Sequence, residues 1–279
     1  MGFKSVRRKS AHFGVRTLWS VVALVPVAGW AADTATNWLD IESRIQYGYD
    51  TEDLHSLRNL ADPLAANPAH DRLKSYYQAL LEYRLTLLLR AEADKSAGAE
   101  GKPPGPAPRN DRTKNEPRQR VGRCVSYLDQ ALEGQSNFAE ALALQAACLR
   151  MEAELSAWRA PLAAPKSVSD MHKALQLAPK NPRVLLLEAI GDYEHAKTPE
   201  AGEEQACGKF KAATAVFEAE RAAVDSVPGW GAAEAYTWLG RCYLDTADAV
   251  KARDALEQAL LIAPEFVQAR RLLAALTSG

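Results

Sequence analysis

The sequence predicts an all-α fold: about five antiparallel helix pairs in one array, closed by a C-terminal helix. Three observations point there. Ala and Leu abound while aromatic residues make up only 8% of the 279 residues, a bias towards helix formers. A similar helix ending recurs, as in Ala174-Leu175-Gln176-Leu177-Ala178-Pro179 and Ala131-Leu132-Glu133-Gly134, where Gly134 suits a C-cap. The stretch Ala233–Phe266 spaces small and large residues as two closely packed helices require. With 47% hydrophobic residues, 25% charged and a net charge of −1, the composition is that of a folded chain. It has no general basic excess, which disfavours nucleic acid as a partner.

The first element, residues 1–31, reads as a secretory signal peptide. Residues 1–16 carry Lys4, Arg7, Arg8, Lys9 and Arg16 and no acid. An apolar run from Leu18 to Val27 and the small residues of Ala28-Gly29-Trp30-Ala31-Ala32 follow. The run is shorter than the ~20 residues of a membrane span. Gly29 and Ala31 suit the positions before a cut at Ala32; the other reading is a retained anchor. Lys9-Ser10-Ala11 lacks the bulky residues of a twin-arginine signal, and no cysteine follows to mark a lipoprotein. Cleavage removes five cations and leaves residues 32–279 with a charge of −6. Such a leader implies a periplasmic or secreted protein of a Gram-negative bacterium, with no membrane span once it is cut.

The helix pairs are expected at 36–48 with 51–66, 70–93 with 117–134, 139–156 with 167–178, 182–197 with 199–225, and 232–245 with 248–262. A helix over 265–277 covers the last pair. The first helix of the second pair is marked by Leu73, Tyr76, Tyr77, Leu80, Leu81 and Tyr83. Thr198-Pro199-Glu200 supplies a capping hydroxyl, a first-turn proline and an acid. Residues 94–116, with Lys102-Pro103-Pro104-Gly105-Pro106-Ala107-Pro108 and mixed charges, read as a disordered insertion. That insertion is either a tolerated loop or a Pro-rich partner segment. Trp230, in Val227-Pro228-Gly229-Trp230-Gly231, is expected to pack over Trp238.

The fifth pair has Tyr236-x-x-Leu239-Gly240-x-x-Tyr243, then Ala252-x-x-x-Leu256, Ala259 and Pro264. This resembles the tetratricopeptide repeat, a helix–turn–helix unit of 34 residues, with Tyr for its first Trp and Leu for its second-helix Phe. Gly240, Ala252 and Ala259 allow close helix approach, and Pro264 ends the second helix. The other units, over most of residues 37–277, match only in part. The resemblance implies a right-handed superhelical solenoid with a concave groove lined by the first helices. Its register places Arg72, Ser75, Ala79 and Tyr83 on the groove in the second unit. Glu140, Ala143, Ala147 and Arg150 follow in the third, Arg183, Leu186, Ile190 and Tyr193 in the fourth, and Glu234, Thr237, Arg241 and Asp245 in the fifth. Charges and aromatic tips in a groove suit a peptide or a partner helix. The Lys and Asn set with which some family members hold terminal carboxylates is missing.

The same register selects a pairing for the four cysteines. Cys124 lies early in a second helix and Cys148 late in the next first helix; Cys207 and Cys242 are placed similarly. Disulfides Cys124–Cys148 and Cys207–Cys242 are therefore expected, in keeping with an oxidising compartment.

Motifs for chemistry are lacking. There is no phosphate loop, Cys-x-x-Cys, His-Glu-x-x-His or Gly-x-Ser-x-Gly. His55, His70, His172 and His195 lack ligand spacing. No catalytic residue, metal or cofactor is nominated. The expected function is a non-catalytic exported scaffold that binds a protein or peptide partner through the concave groove. The other readings are a periplasmic small-ligand carrier, working beside a transporter, and an accessory factor for cell-envelope assembly.

Overall fold

The computed structural model describes residues 37–68, 71–100, 112–134, 136–195, 199–220 and 227–278, together with Met1 and Gly2. The chain divides into two compact units, Met1–Ala35 and Thr36–Gly279. The expected leader 1–31 falls in the first, and nearly all of it lies outside the described residues. His70, Thr198 and the Pro-rich core of the insertion, in the second, lie outside the described residues too.

Twelve helices and no strand occur among the described residues, all in the second unit. They are α1 (Trp38–Asp50), α2 (Leu54–Asn59), α3 (Ala61–Ala66), α4 (Arg72–Glu100), α5 (Arg112–Leu132) and α6 (Ala139–Leu155). There follow α7 (Ala160–Leu177), α8 (Pro182–His195), α9 (Pro199–Glu220), α10 (Ala232–Asp245), α11 (Ala249–Ile262) and α12 (Val267–Ser278). The main packing is between neighbours in sequence: α4 with α5, α6 with α7, α8 with α9, and α10 with α11.

Helix starts follow local chemistry. The side chains of Asn37, Asp53 and Asp248 accept from backbone N–H groups three residues on, capping α1, α2 and α11. Asn181 caps α8 in the same way for Arg183 and Val184, with Pro182 in the first position. Gly134, at a φ of +70°, follows the end of α5.

Three boundaries depart from expectation. The helix expected over 51–66 breaks at Leu60 into α2 and α3. Pro63 has no N–H to give the Asn59 carbonyl, so it is accommodated only in the first turn of a new helix. Helix α7 starts seven residues before the expected 167, because Pro161 sits in its first turn, where no N–H is needed. Helix α4 continues to Glu100 and α5 begins at Arg112, so both extend into 94–116, and only 101–111 separates them.

The first helices of successive pairs lie side by side, α1 on α4, α4 on α6 and α6 on α8. Their shared inner side holds Tyr49, Tyr76, Tyr77, Tyr83 and Trp230, all buried. Two disulfides join consecutive pairs: Cys124–Cys148 ties α5 to α6 and Cys207–Cys242 ties α9 to α10. Both are the expected pairings, with Cα atoms 6.3 and 5.6 Å apart. Among the described residues no helix is long and apolar enough to cross a membrane.

Candidate functional site

The inner side is closed by its own side chains. Arg84 of α4 has no exposed surface and reaches α10, where Nη1 and Nη2 donate to Glu234 at 2.9 and 2.7 Å. Its Nη2 also donates to Gln46 of α1 at 3.3 Å. The guanidinium lies 4.0 Å from the Tyr49 ring centroid and 4.9 Å from that of Trp230, faces that stabilise a cation. Tyr49 donates its hydroxyl to Glu234 at 3.3 Å.

A second buried carboxylate, Glu42 of α1, accepts from the Tyr77 hydroxyl at 2.7 Å and from the Gly229 N–H at 2.9 Å. Trp230 Nε1 donates to the Tyr76 hydroxyl at 2.8 Å. Trp230 thus packs inward under Arg84. Trp238, over which it is expected to lie, instead stacks on Phe210 at 5.9 Å. An indole with a buried N–H goes where an acceptor exists, and Tyr76 supplies it.

Burial shifts these groups. It pushes the Asp50 carboxyl up to about 7, with Arg84 opposing and the Glu234 charge reinforcing. Burial also raises Glu42, against the bonds from Tyr77 and Gly229. Burial pulls Arg84 down most strongly, but the Glu234 charge and hydrogen bond, together with Tyr49 and Tyr83, outweigh it, so the guanidinium stays charged. A cation, two raised acids and five rings in this enclosure hold α1 to α4 and α10. Arg84 offers no surface to a substrate.

The expected groove residues divide accordingly. Tyr83, Arg183 and Glu234 are buried, as are Ala79, Ala143, Ala147, Leu186, Ile190 and Thr237. These positions are interior, so the expectation that Tyr83, Arg183 and Glu234 line an open groove is corrected. Arg183 pairs with Glu220 and covers the Phe217 ring. Glu140 is half-buried and accepts from Asn181 at 2.6 Å. Arg72 is exposed, with its guanidinium 4.8 Å from the Phe138 ring centroid.

Tyr193 and Arg241 do come together. Arg241 lies over both Tyr193 and Trp238, and Tyr193 donates its hydroxyl to Asp245. Burial, with Asp245 second, pushes the Tyr193 hydroxyl up to about 12.

Arg150 lies elsewhere, at a pocket of about 650 Å³ between α6, α7 and α8. Its walls include Ala146 and Ala153 of α6, Val168 and Met171 of α7, and Leu187 and Gly191 of α8. Gly191 leaves room for the Arg150 guanidinium: a Cβ there would lie 2.6 Å from Arg150 Nη1 and push the side chain aside. At the pocket and beside it, Trp158 just before α7 and Leu162 and Val168 of α7 are large exposed apolar groups, at 75, 79 and 71%. Sequence reasoning misses this face, because Trp158 and Leu162 fall between the helices expected at 139–156 and 167–178. It also misses Arg84, although an arginine within Tyr83-Arg84-Leu85-Thr86-Leu87-Leu88-Leu89 is a signal of a buried charge.

Among the described residues no cluster of three or more His, Cys, Asp or Glu is arranged to hold a metal ion. No family model matches the chain, and a search of the curated proteins returns no match.

Proposed function

We propose that the protein is a non-catalytic, exported scaffold of the tetratricopeptide type that binds a protein or peptide partner along α7. The observation that carries this reading is the exposed apolar series Trp158, Leu162 and Val168, since large exposed apolar groups beside a groove mark interaction surfaces. The repeat assignment draws on the spacing Tyr236 to Pro264 and on antiparallel helix pairs in sequence order. Export to a periplasm draws on the basic and apolar leader and on two disulfides, which persist in oxidising compartments. The binding face moves from the inner side to α7 because the inner side is filled. A role in envelope assembly is one form such a scaffold takes.

A photo-crosslinking residue at Leu162, at Val168 and, as a control, at Val250 of α11 tests the reading in the native host. A discrete adduct from positions 162 and 168, but not 250, is expected. Equal labelling from all three positions, or none from 162 and 168, overturns it.

A further inference from the structure

The junction between α7 and α8 differs from the junctions before and after it. The Cys124–Cys148 bond closes α5 onto α6, and the Cys207–Cys242 bond closes α9 onto α10. No cysteine lies in α7 or α8, and the two helices touch little. They part over the pocket of about 650 Å³. Protein interiors are normally filled to crystal-like density, and large-to-small changes that leave voids are costly. A space of this size, lined by Leu175, Met171, Val168 and Leu187 and kept open by Ala and Gly, matches a small-molecule site of ~300–1,000 Å³.

The polar side chains around it are already engaged. Arg150 Nε donates to Glu194 at 3.2 Å, and Glu154 pairs with Arg90 at 2.9 Å. Lys209 spans Glu188 and Asp192. Ser167 donates to the Ala146 carbonyl at 2.7 Å, His195 Nδ1 meets the Gly191 carbonyl at 2.9 Å, and His172 meets Gln176. A charged ligand would have to compete with these pairings and lose its own hydration against mostly apolar walls. A neutral apolar ligand needs only the walls.

We infer that the α6–α7–α8 pocket is a binding site for a neutral, apolar small molecule. This goes beyond partner binding, with which it shares Val168; Trp158 and Leu162 lie outside the pocket, so loss of a crosslink at Leu162 and loss of the neutral dye are separate outcomes.

Two dyes that differ by one sulfonate test it on the full, oxidised protein. N-phenyl-1-naphthylamine is neutral, and 8-anilino-1-naphthalenesulfonate is the same skeleton with a charge. The neutral dye should bind saturably, one per chain, at least tenfold tighter than the anion. Ala164→Trp fills the pocket and Val168→Asp charges its wall; each should weaken the neutral dye tenfold or more. Val250→Asp on α11 should leave it unchanged. Circular dichroism and the urea midpoint check that each variant is folded. Val168 is so exposed that its variant carries the test if Ala164→Trp does not fold. Absence of saturable binding, or unaltered binding in folded Val168→Asp, overturns the site. Equal affinity for the anion overturns the assignment of a neutral ligand.

Discussion

Replacing Glu234 by Gln leaves a fully enclosed guanidinium without its counter-charge. Arg84 keeps its bond to Gln46 and the Tyr49 and Trp230 rings, but its two ion-paired bonds at 2.9 and 2.7 Å become at best one neutral one. Removing one partner of a buried pair costs about 3–5 kcal/mol. Asp50 makes that cost depend on pH. Its carboxyl, held at about 7 by burial, is raised further by Glu234 and lowered by Arg84, so neutralising Glu234 lets its pKa fall. Each unit of that fall weakens proton binding by the folded state. The variant's deficit is therefore larger at pH 5 than at pH 8 by about 1.4 kcal/mol per unit. Removing both charges, with Arg84→Met and Glu234→Leu, should be neutral or stabilising by about 1–4 kcal/mol relative to wild type. Urea unfolding followed by circular dichroism, with disulfides oxidised and equal slopes, measures each difference. A deficit for Glu234→Gln below about 1 kcal/mol at pH 5, or one that grows with pH, refutes the enclosed-pair reasoning.

The remaining expectations concern pH, disulfides and glycines. Asp50 titrates near 7 folded against an ordinary 3.8, and Glu42 is raised too, so the folded state holds protons more tightly. The Asp50 contribution is full below about pH 4 and is lost as pH rises through 7, and Glu42 acts in the same direction. Urea midpoints should therefore climb from pH 8 towards pH 4, by roughly 2–4 kcal/mol for Asp50, and Asp50→Asn should flatten the climb. Burial is the largest single influence on Glu52 and Glu116 and raises them, but their cationic partners together outweigh it and lower both, so they act oppositely and take stability away at more acid pH. Cutting the 24-residue loop with Cys124→Ser/Cys148→Ser should cost about 3.5 kcal/mol, and the 35-residue loop with Cys207→Ser/Cys242→Ser about 3.8 kcal/mol, by calorimetry. Gly240→Ala places a Cβ 2.7 Å from Leu256 Cγ and should destabilise by about 1–3 kcal/mol. Gly208→Ala in α9, with nothing within 4 Å, should stabilise by about 0.5–1 kcal/mol; a loss there refutes the reading of that face as open.

The helix pairs are legible because their signals are local. Periodicity and caps place α10 and α11 within a residue of the expected 232–245 and 248–262. Register also brings each cysteine to its partner, since antiparallel neighbours fix which levels meet. What escapes is contact between segments far apart. Arg84 and Glu234 are 150 residues apart, and although the apolar neighbours of Arg84 signal a buried charge, nothing local names Glu234 as its partner. Whether an expected groove position faces water depends on what lies opposite, and no local pattern encodes that. The pocket is harder still to read, because it consists of a contact that α7 and α8 do not make.

The meeting of α1 and α4 with α10 and α12 changes how the molecule comes apart. A linear stack, coupled only between nearest neighbours, frays from its ends. Here Glu42 accepts from Gly229, 187 residues away, and Glu52 from Arg271, 219 away. Helix α1 cannot open without exposing the ringed arginine. Hydrogen exchange at α1 should therefore proceed through near-global unfolding rather than local fraying. Closing so long a loop is entropically slow, which sets folding time by topology rather than by helix formation. Helix α1 is thus among the last to be buried, waiting for Gly229 and Glu234, which are synthesised long after it.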